Sequence, residues 1–224
     1  MRVLAVETST LAGGVALVEG ERLVAEYLLD VSVTHSERLL ATIDHVLCDA
    51  GWTPRDVQGL AVAVGPGSFT GLRVGIGTVK GLALALGVPV AAVPTLDAMA
   101  AALPWVSLPV CPVLHARRNE VYAALYRWDG EGVRRESEYL ALAPAELAAR
   151  LTAPTLLLGD GADAVHSPHA RHAPRRRRVP SPACVAVLGR ARLALGETVD
   201  AASLMPFYLR PSEAELRRRA ATAR

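Results

Sequence analysis

The residues at 65–73 have the types and spacing of a turn that could bind an anion or a partner protein. They read Gly-Pro-Gly-Ser-Phe-Thr-Gly-Leu-Arg, after an apolar run at 60–64 and before a glycine-containing helical pattern at 70–86. A strand, a tight turn and a helix start in this order can direct backbone N–H groups at a bound anion or at a neighbouring protein. Gly67 and Ser68 are the residues of this turn that would contact a phosphate.

The same turn departs from both common nucleotide fingerprints. A P-loop needs a lysine directly after its second conserved glycine, whereas here Leu72 follows Gly71, and the only lysine, Lys80, lies farther along the helical pattern. Gly75 and Gly77 fall inside that pattern, so they do not form a dinucleotide-binding turn either. We therefore favour a structural turn that contacts a partner, with a phosphate site as the alternative.

A second candidate is the end of the first predicted strand, where Glu7 is followed by Thr8 and Ser9. This position resembles that of an aspartate in nucleotide-using proteins of the actin and sugar-kinase superfamily, where the aspartate helps to hold metal-bound phosphates. The resemblance implies that these three residues are further cofactor candidates. One carboxylate is a weak metal site, and the alternative is that Glu7 hydrogen-bonds the turn after it. We predict no catalytic residue and no metal site.

Hydrophobic periodicity predicts the elements that position these residues. The first half reads as strands at 2–8, 15–19 and 23–29, a helix over 35–50, a strand at 60–64, a helix at 70–86 and a strand at 88–93. Thr34 and Glu37 form a capping box at the start of the first helix. This order fits a mixed five-stranded sheet with helices packed on its faces, which is an α/β fold.

The second half reads as a reduced copy of the first. It begins with a helical stretch at 96–103 and a connector bracketed by Pro104 and Pro109. Strands are predicted at 110–115, 121–128 and 155–158, helices at 144–151 and 183–195, and a loop rich in Pro, Arg and His at 166–182. We expect a first domain at 1–103, completed by 183–224, and a smaller second domain at 104–182.

The helix at 70–86 contains four glycines, at 71, 75, 77 and 81. Each glycine in a helix interior costs about 0.8–1.0 kcal/mol relative to alanine, so some close contact must offset them. Gly77, Gly81 and Ala85 recur every fourth residue and share one face. That face packs either on the protein's own sheet and first helix or on another subunit, and the sequence leaves both alternatives open.

The turn at 65–73, the start Leu-Ala-Val-Glu-Thr-Ser at 4–9 and two shorter segments resemble the TsaB (YeaZ) family. His115-Ala-Arg117 with Glu120-Val-Tyr resembles the family's Asp-Ala-Arg-x-x-Glu-Val-Tyr, with a histidine in place of the aspartate, and the bland alternative there is an ion pair that stabilises the hairpin. Residues 206–210 resemble its Pro-x-Tyr-Leu-Arg and are expected to anchor the chain end. The resemblance implies a two-lobed actin-like (ASKHA, ribonuclease-H-like) fold.

The resemblance also implies a function and partners. TsaB-like proteins are accessory, non-catalytic subunits in the N6-threonylcarbamoylation of adenosine 37 in tRNAs that read codons starting with A. They act with the transferase TsaD and the ATPase TsaE, pair with themselves when alone, and meet tRNA only within the complex or indirectly. The implied interface lies on the first two helices and comprises His35, Arg38, Thr42, Gly71, Arg73, Gly77 and Gly81. ATP or ADP near this interface is a further expectation.

Two enzymatic functions are alternatives to the accessory role, and the residues around His35 bear on the first of them, a metalloprotease. The related transferase TsaD carries His-x-x-x-His on the matching helix, where two imidazoles can hold a metal ion, but this chain has Leu39 at the second position. The departure disfavours a metalloprotease. An ATP-dependent phosphotransferase of the sugar-kinase type would need a nucleotide cleft and a general base, and it is disfavoured as well. A homodimeric scaffold with no role in tRNA modification is the blandest alternative.

Composition and charge set the remaining expectations. No uninterrupted apolar run reaches the roughly 18 residues that span a bilayer, so we expect a cytoplasmic protein, with its three scattered cysteines buried as thiols. Residues 165–224 hold twelve arginines and four acidic residues, whereas 1–164 hold twelve basic and eighteen acidic ones. This asymmetry indicates either a solvated basic surface or a surface facing nucleic acid, and the basic loop at 166–178 is its densest part.

Overall fold

The computed structural model describes residues 1–30, 35–117 and 119–210, with the backbone alone at 35–37. The predicted capping box of Thr34 and Glu37 and the side chain of His35 therefore lie outside the described residues. The first half forms a five-stranded sheet in the order β3-β2-β1-β4-β5. Its strands are β1 (Arg2–Glu7), β2 (Ala12–Glu19), β3 (Arg22–Asp30), β4 (Gly59–Gly65) and β5 (Val90–Pro94).

The sheet is mixed, as predicted. β1, β2 and β3 pair antiparallel, whereas β4 and β5 run parallel to β1. The helices α1 (His35–Asp49) and α2 (Phe69–Leu86) make the crossovers between parallel strands, and α3 (Thr95–Ala101) follows β5. β4 and β5 are parallel neighbours, which need a crossover such as α2. The predicted order of three strands, helix, strand, helix and strand is confirmed.

Alternation along the strands assigns the two faces of this sheet to different helices. The larger side chains of one face, among them Leu4, Val6 and Leu60, pack against α1 and α2 in one core cluster. The opposite face is rich in alanine, and it packs against α5 (Pro182–Ala194) in a second cluster. An added Cβ at Gly189 of α5 would lie 2.2 Å from the Cβ of Ala61, so only a small residue allows this close approach.

The second half repeats the strand order of the first. Its seven-stranded sheet has the path β10-β7-β6-β11-β12, with antiparallel pairing from β10 to β6 and parallel pairing from β6 to β12. The strands are β6 (Val110–His115), β7 (Val121–Ala123), β8 (Tyr126–Trp128), β9 (Val133–Arg135), β10 (Leu140–Leu142), β11 (Thr155–Leu158) and β12 (Ala170–His172), and α4 (Pro144–Arg150) precedes β11. The predicted α/β fold class, with a mixed five-stranded sheet in the first half, is confirmed.

Three details of the prediction are wrong. The segment 121–128 is two strands, β7 and β8, because the chain leaves the ladder between them and pairs β8 with β9. The predicted loop at 166–182 contains β12 and a 3-10 turn, Arg175–Arg177. Cys48 is exposed on α1, and Cys184 is half-buried, so that Cys111 alone is fully buried.

The helix α2 also qualifies the expectation about membranes. By length and composition alone, it is the one described helix that could cross a bilayer, and 33% of it is buried inside the protein. Its buried residues, including Leu72, Ile76 and Val79, pack in the cluster beneath α1 and α2 or close to it. One such helix is weak evidence for a membrane span, since core helices of soluble proteins pass the same test.

Candidate functional site

The turn after β4 sets the start of α2. Ser68 is the N-cap residue, and its Oγ accepts a hydrogen bond from the backbone N–H of Gly71 at 3.2 Å. The backbone N–H of Ser68 donates in turn to the carbonyl oxygen of Ser9 at 2.6 Å. Two of the N–H groups that would be available to an anion at this helix start are therefore used within the protein.

The loop after β1 lies directly on this turn, and glycines make the approach possible. An added Cβ would lie 2.3 Å from the Ser9 carbonyl oxygen at Gly67 and 2.0 Å from the Thr8 carbonyl oxygen at Gly71. At Gly75 it would lie 2.2 Å from Thr8 Oγ1, which donates a hydrogen bond to the Gly71 carbonyl at 2.8 Å. The structure thus brings the loop with the cofactor candidates Glu7, Thr8 and Ser9 against the turn with Gly67 and Ser68, and Ser9 makes the direct contacts with both residues of the turn.

Glu7 is a fully buried carboxyl group at the centre of this contact. Its Oε1 accepts the backbone N–H of Ser9 at 2.5 Å, which is the alternative in which Glu7 hydrogen-bonds the turn that follows it. Among the described residues, Glu7 Oε2 and Ser9 Oγ have no hydrogen-bond partner. Burial raises the pKa of Glu7 to about 7, against a partial lowering by the adjacent Ser9. Near neutral pH this carboxyl group exists in both protonation states.

The four glycines of α2 divide between the inside and the outside of the molecule. Gly71 and Gly75 are buried against Thr8, whereas Gly77 and Gly81 are exposed, and an added Cβ at either of them would lie more than 4 Å from every neighbour in the ranges 1–30, 35–117 and 119–210. Arg73 and Ala85 are exposed on the same helix, as is Leu84, with 86% of its surface accessible. The small-residue face predicted from Gly77, Gly81 and Ala85 is therefore open to solvent.

The helix α1 lies beside α2 and extends this surface. The two helices are in contact, and Arg38 and Leu40 of α1 are exposed while Thr42 is half-buried. Most of the predicted interface residues are accessible to solvent, namely Arg38, Thr42, Arg73, Gly77 and Gly81. Gly71 is buried. We name the exposed surface of Arg38, Thr42, Arg73, Gly77, Gly81 and Leu84 the two-helix face.

The segment 206–210 clamps the start of α2, and only part of this was visible in the sequence. Tyr208 stacks on Phe69, with ring centroids 5.2 Å apart, and its hydroxyl accepts a hydrogen bond from Arg73 Nε at 3.3 Å. The Arg73 guanidinium also lies over the Phe69 ring, 3.8 Å from its centroid. The aromatic pair holds Arg73 at the edge of the two-helix face. The tyrosine of the Pro-x-Tyr-Leu-Arg motif was the available signal for it.

The same segment joins the two sheets. The Phe207 N–H donates to the Val64 carbonyl at 2.7 Å, and the Phe207 ring meets Tyr139 edge-on, with centroids 5.2 Å apart. Arg210 pairs with Glu120 at 2.5 Å. The expected anchoring of the chain end is confirmed, but the proposed ion pair within the hairpin is wrong, because Glu120 pairs with the distant Arg210 rather than with Arg117.

Comparison with known proteins identifies the family. The chain is 31% identical to the "tRNA threonylcarbamoyladenosine biosynthesis protein TsaB" of Bacillus subtilis (strain 168), over 96% of this chain and 96% of that protein. The chain belongs to the TsaB family. The TsaB of Escherichia coli (strain K12) is 33% identical over 66% of this chain and 64% of its own length. The structure "YeaZ from Pseudomonas aeruginosa", 31% identical, aligns with a TM-score of 0.81 over 93% of this chain and 99% of that one.

A family model described as "TsaD: tRNA N6-adenosine threonylcarbamoyltransferase" also matches this member of the TsaB family, over residues 30–159. That range contains α1, α2 and every strand of the second sheet except β12. The resemblance drawn from the motifs is confirmed by the TsaB and YeaZ relatives. The range matched by the TsaD model includes the two helices on which the interface is predicted.

Two positions depart from the patterns expected of the TsaB family and its relatives. Leu39, at the second position of the His-x-x-x-His pattern, is a core residue with 4% of its surface exposed. Among the described residues, no group of three or more His, Cys, Asp or Glu side chains is placed to hold a metal ion. At His115, where the family pattern has an aspartate, the backbone N–H donates to Asp160 Oδ1 at 2.8 Å, so a carboxylate reaches this strand end from the turn after β11.

A polar cluster that sequence reasoning missed lies beside the contact between the sheets. Tyr126 and Tyr139 each donate a hydroxyl hydrogen bond to Asp97 Oδ1 at 2.7 Å, and Arg192 of α5 lies 3.4 Å from Oδ2. Burial, together with the adjacent carboxylate, raises the pKa of both tyrosines. No periodicity or motif marks these residues, because they come from four segments, far apart along the chain, that meet only in the folded protein.

Proposed function

We propose that this chain is a non-catalytic partner subunit in the N6-threonylcarbamoylation of adenosine 37 in tRNAs that read codons starting with A. In this proposal it binds the transferase TsaD, which acts with the ATPase TsaE. Support comes from relatives whose names place them in threonylcarbamoyladenosine biosynthesis. It also comes from the residues of the chain itself, where the one position that would complete a His-x-x-x-His metal pair is a buried leucine.

The two-helix face is the observation that carries the proposal. Gly77 and Gly81 lie in the interior of an 18-residue helix, and an added Cβ at either of them meets none of the described residues within 4 Å. Two alanines there would stabilise the helix by about 0.8–1.0 kcal/mol each, and no contact among the described residues requires glycine. A partner backbone that approaches closely along this face is the physical reason that we propose for the two glycines.

The match to the TsaD model adds a geometric argument. Two chains that carry the same pair of helices can pack them face to face across a pseudo-twofold axis, as identical subunits do across a true one. The isolated chain would then form a homodimer through the two-helix face, and TsaD would replace the second copy. His35, Arg38, Thr42, Arg73, Gly77 and Gly81 are the proposed contacts, while Gly71 positions the turn from inside.

The remaining expectations belong to the same proposal. We place a first domain at 1–103, completed by the segment from 183 onward, since α5 packs on the first sheet, and a second domain at 104–182. A partner of tRNA modification would act in the cytoplasm and meet tRNA within the complex. Binding of ATP or ADP at the interface stays a prediction. Calorimetric titration of the nucleotide into the complex with TsaD is the measurement that tests it.

A reconstitution assay tests the function directly. TsaD and TsaE of the same organism are incubated with tRNA and threonylcarbamoyl-adenylate, with and without this chain, and modified adenosine is measured by mass spectrometry of nucleosides. We expect product to depend on the chain. Equal product in both reactions would reject the accessory role.

Substitutions on the two-helix face test the mechanism. Gly77→Leu and Gly81→Leu place a bulky side chain on the proposed interface, and we expect weaker binding to TsaD and less product. Ala191→Leu is the matched control, because Ala191 is exposed on α5, on the opposite side of the first sheet. Binding and product that stay at the wild-type level in both glycine variants would place the interface elsewhere, while a loss in the control as well would indicate a general effect on folding.

A further inference from the structure

A cluster of exposed arginines lies at the outer edge of the second sheet. We name Arg171, Arg175, Arg176 and Arg177 the arginine cluster. Arg171 belongs to β12, the last strand on this side of the sheet, and the other three form the 3-10 turn that follows it. All four side chains are exposed. They therefore present four positive charges within a short stretch of surface.

The turn that carries the cluster is held firmly from below. Arg178, which is mostly buried, donates hydrogen bonds to the Ala173 carbonyl and to Asp163 Oδ1, both at 2.7 Å. The Ala173 N–H donates to the Leu157 carbonyl of β11 at 2.9 Å, and the Arg177 N–H donates to the Pro174 carbonyl at 2.8 Å. These contacts fix the backbone, so the arginine side chains project from a preorganised turn.

The carboxylates beside the cluster are already used. Asp163 pairs with Arg178 at 2.7 Å and lies 3.5 Å from His172. The pKa of Asp163 is lowered, chiefly by the hydrogen bond from Arg178 and to a smaller extent by the charge of Arg175. Glu26 accepts hydrogen bonds from Ser181 Oγ and the Ala183 N–H. Within the described part of the chain, no arginine of the cluster forms an ion pair within 4 Å. Arg171 donates only to the backbone carbonyls of Pro168 and Ala170.

We infer that the arginine cluster binds the phosphate backbone of an RNA. Arginine presents a planar fork of donors that matches phosphate oxygens, and unpaired exposed arginines on one rigid turn raise the local concentration of a polyanion. A single charge on β12 would suffice to protect a sheet edge from other strands, which leaves the three arginines of the turn unexplained by that role. The inference rests on the proposed function, in which the RNA is the tRNA held by the complex.

The test measures RNA binding by the full chain in its complex with TsaD. A fluorescently labelled transcript of a tRNA that reads a codon starting with A is titrated by anisotropy between about 50 and 200 mM salt. The cluster variant is Arg175→Gln/Arg176→Gln/Arg177→Gln. Its matched control is Arg22→Gln/Arg55→Gln/Arg150→Gln, which removes the same charge from exposed positions on other elements. Arg176→Glu is a second, single-site variant.

Each phosphate contact adds about 0.7–0.9 to the slope of log affinity against log salt, so the cluster variant should lose roughly 2–3 from that slope. Across this fourfold range of salt, wild-type affinity should then fall roughly 20- to 40-fold more than the affinity of the cluster variant. The control variant should keep the wild-type slope, and Arg176→Glu should lose roughly 1 unit or more.

Three outcomes would overturn the inference. They are equal slopes for wild type and both cluster variants, a loss of TsaD binding with unchanged RNA affinity, and a loss of binding to vesicles of anionic phospholipid without a loss for tRNA. The proposed function is judged separately, by whether the wild-type chain is needed for product. A chain that is needed, but whose cluster variant binds tRNA like the wild type, would refute this inference and leave the function standing.

Discussion

Replacing Gly77 and Gly81 by alanine should make the isolated protein more stable if the two-helix face is exposed in the monomer. Both glycines lie within α2, both are exposed, and an added Cβ at either position has no neighbour within 4 Å among the described residues. Neither substitution therefore creates a clash within the part of the chain that the structure describes. What changes is the helix propensity and the freedom of the unfolded chain, and both favour alanine.

The expected gain is about 0.8–1.0 kcal/mol per position, or about 2 kcal/mol for the double variant. For a protein of this size, 1 kcal/mol moves the Tm by about 2–4 °C, so the double variant should melt about 4–8 °C higher. The two positions lie one helical turn apart, and their side chains would be small, so we expect the gains to be nearly additive.

The measurement is thermal unfolding followed by circular dichroism, at a concentration where ultracentrifugation shows the monomer, because dimerisation would itself raise the apparent Tm. Gly71→Ala is the internal contrast. Its Cβ would lie 2.0 Å from the Thr8 carbonyl oxygen, a backbone atom. The backbone must shift to relieve that overlap, and this shift should lower the free energy of unfolding by about 1–3 kcal/mol. If Gly77→Ala and Gly81→Ala lowered the Tm of the monomer as Gly71→Ala should, the face would be covered within the protein and the interface proposal would lose its basis.

Two further predictions concern the inside of the first half of the chain. Glu7 has a folded-state pKa of about 7, raised from 4.5, so the stability linked to its proton is present below about pH 4.5 and is lost as the pH rises through about 7, by up to about 3 kcal/mol. In urea unfolding between about pH 5 and 8, Glu7→Gln should flatten this pH dependence of the unfolding free energy. An unchanged dependence would show that another group titrates. Gly189→Ala would bring a Cβ to 2.2 Å from the Cβ of Ala61, so it should lower the Tm by separating α5 from the first sheet. The control Ala191→Gly, at an exposed position of the same helix, should lower the unfolding free energy only by about 1 kcal/mol through helix propensity. Equal effects of the two substitutions would contradict the close packing of α5 on the sheet.

The sequence predicted the first half well because its signals are local. Alternating and continuous apolar runs mark β1 to β5, and the glycine turn after β4 marks the start of α2. The short strands of the second half were harder. β9, β10 and β12 have three residues each, which is too short for periodicity to distinguish from a loop, and they exist because neighbouring strands offer hydrogen-bond partners.

The candidate site shows the same division. Residue types alone singled out Glu7, Ser68 and the glycines, and a four-residue spacing placed Gly77 and Gly81 on one face. Sequence could not decide that Gly71 and Gly75 face Thr8 while Gly77 and Gly81 face solvent, since that depends on where α2 rests on the sheet. Nor could it pair Glu120 with Arg210 or gather Tyr126 and Tyr139 around Asp97, because these partners are distant along the chain.

Taken alone, the sequence determined the order of elements in the first half, the family and the residues able to shape a tight turn, because backbone preference and side-chain period act over a few neighbouring residues. Tertiary structure decided which glycines are buried, which carboxyl group loses its water and takes a raised pKa, and which arginines keep their charge unpaired. Those properties depend on burial and on the identity of distant neighbours, and both arise only when the two sheets and their helices pack together.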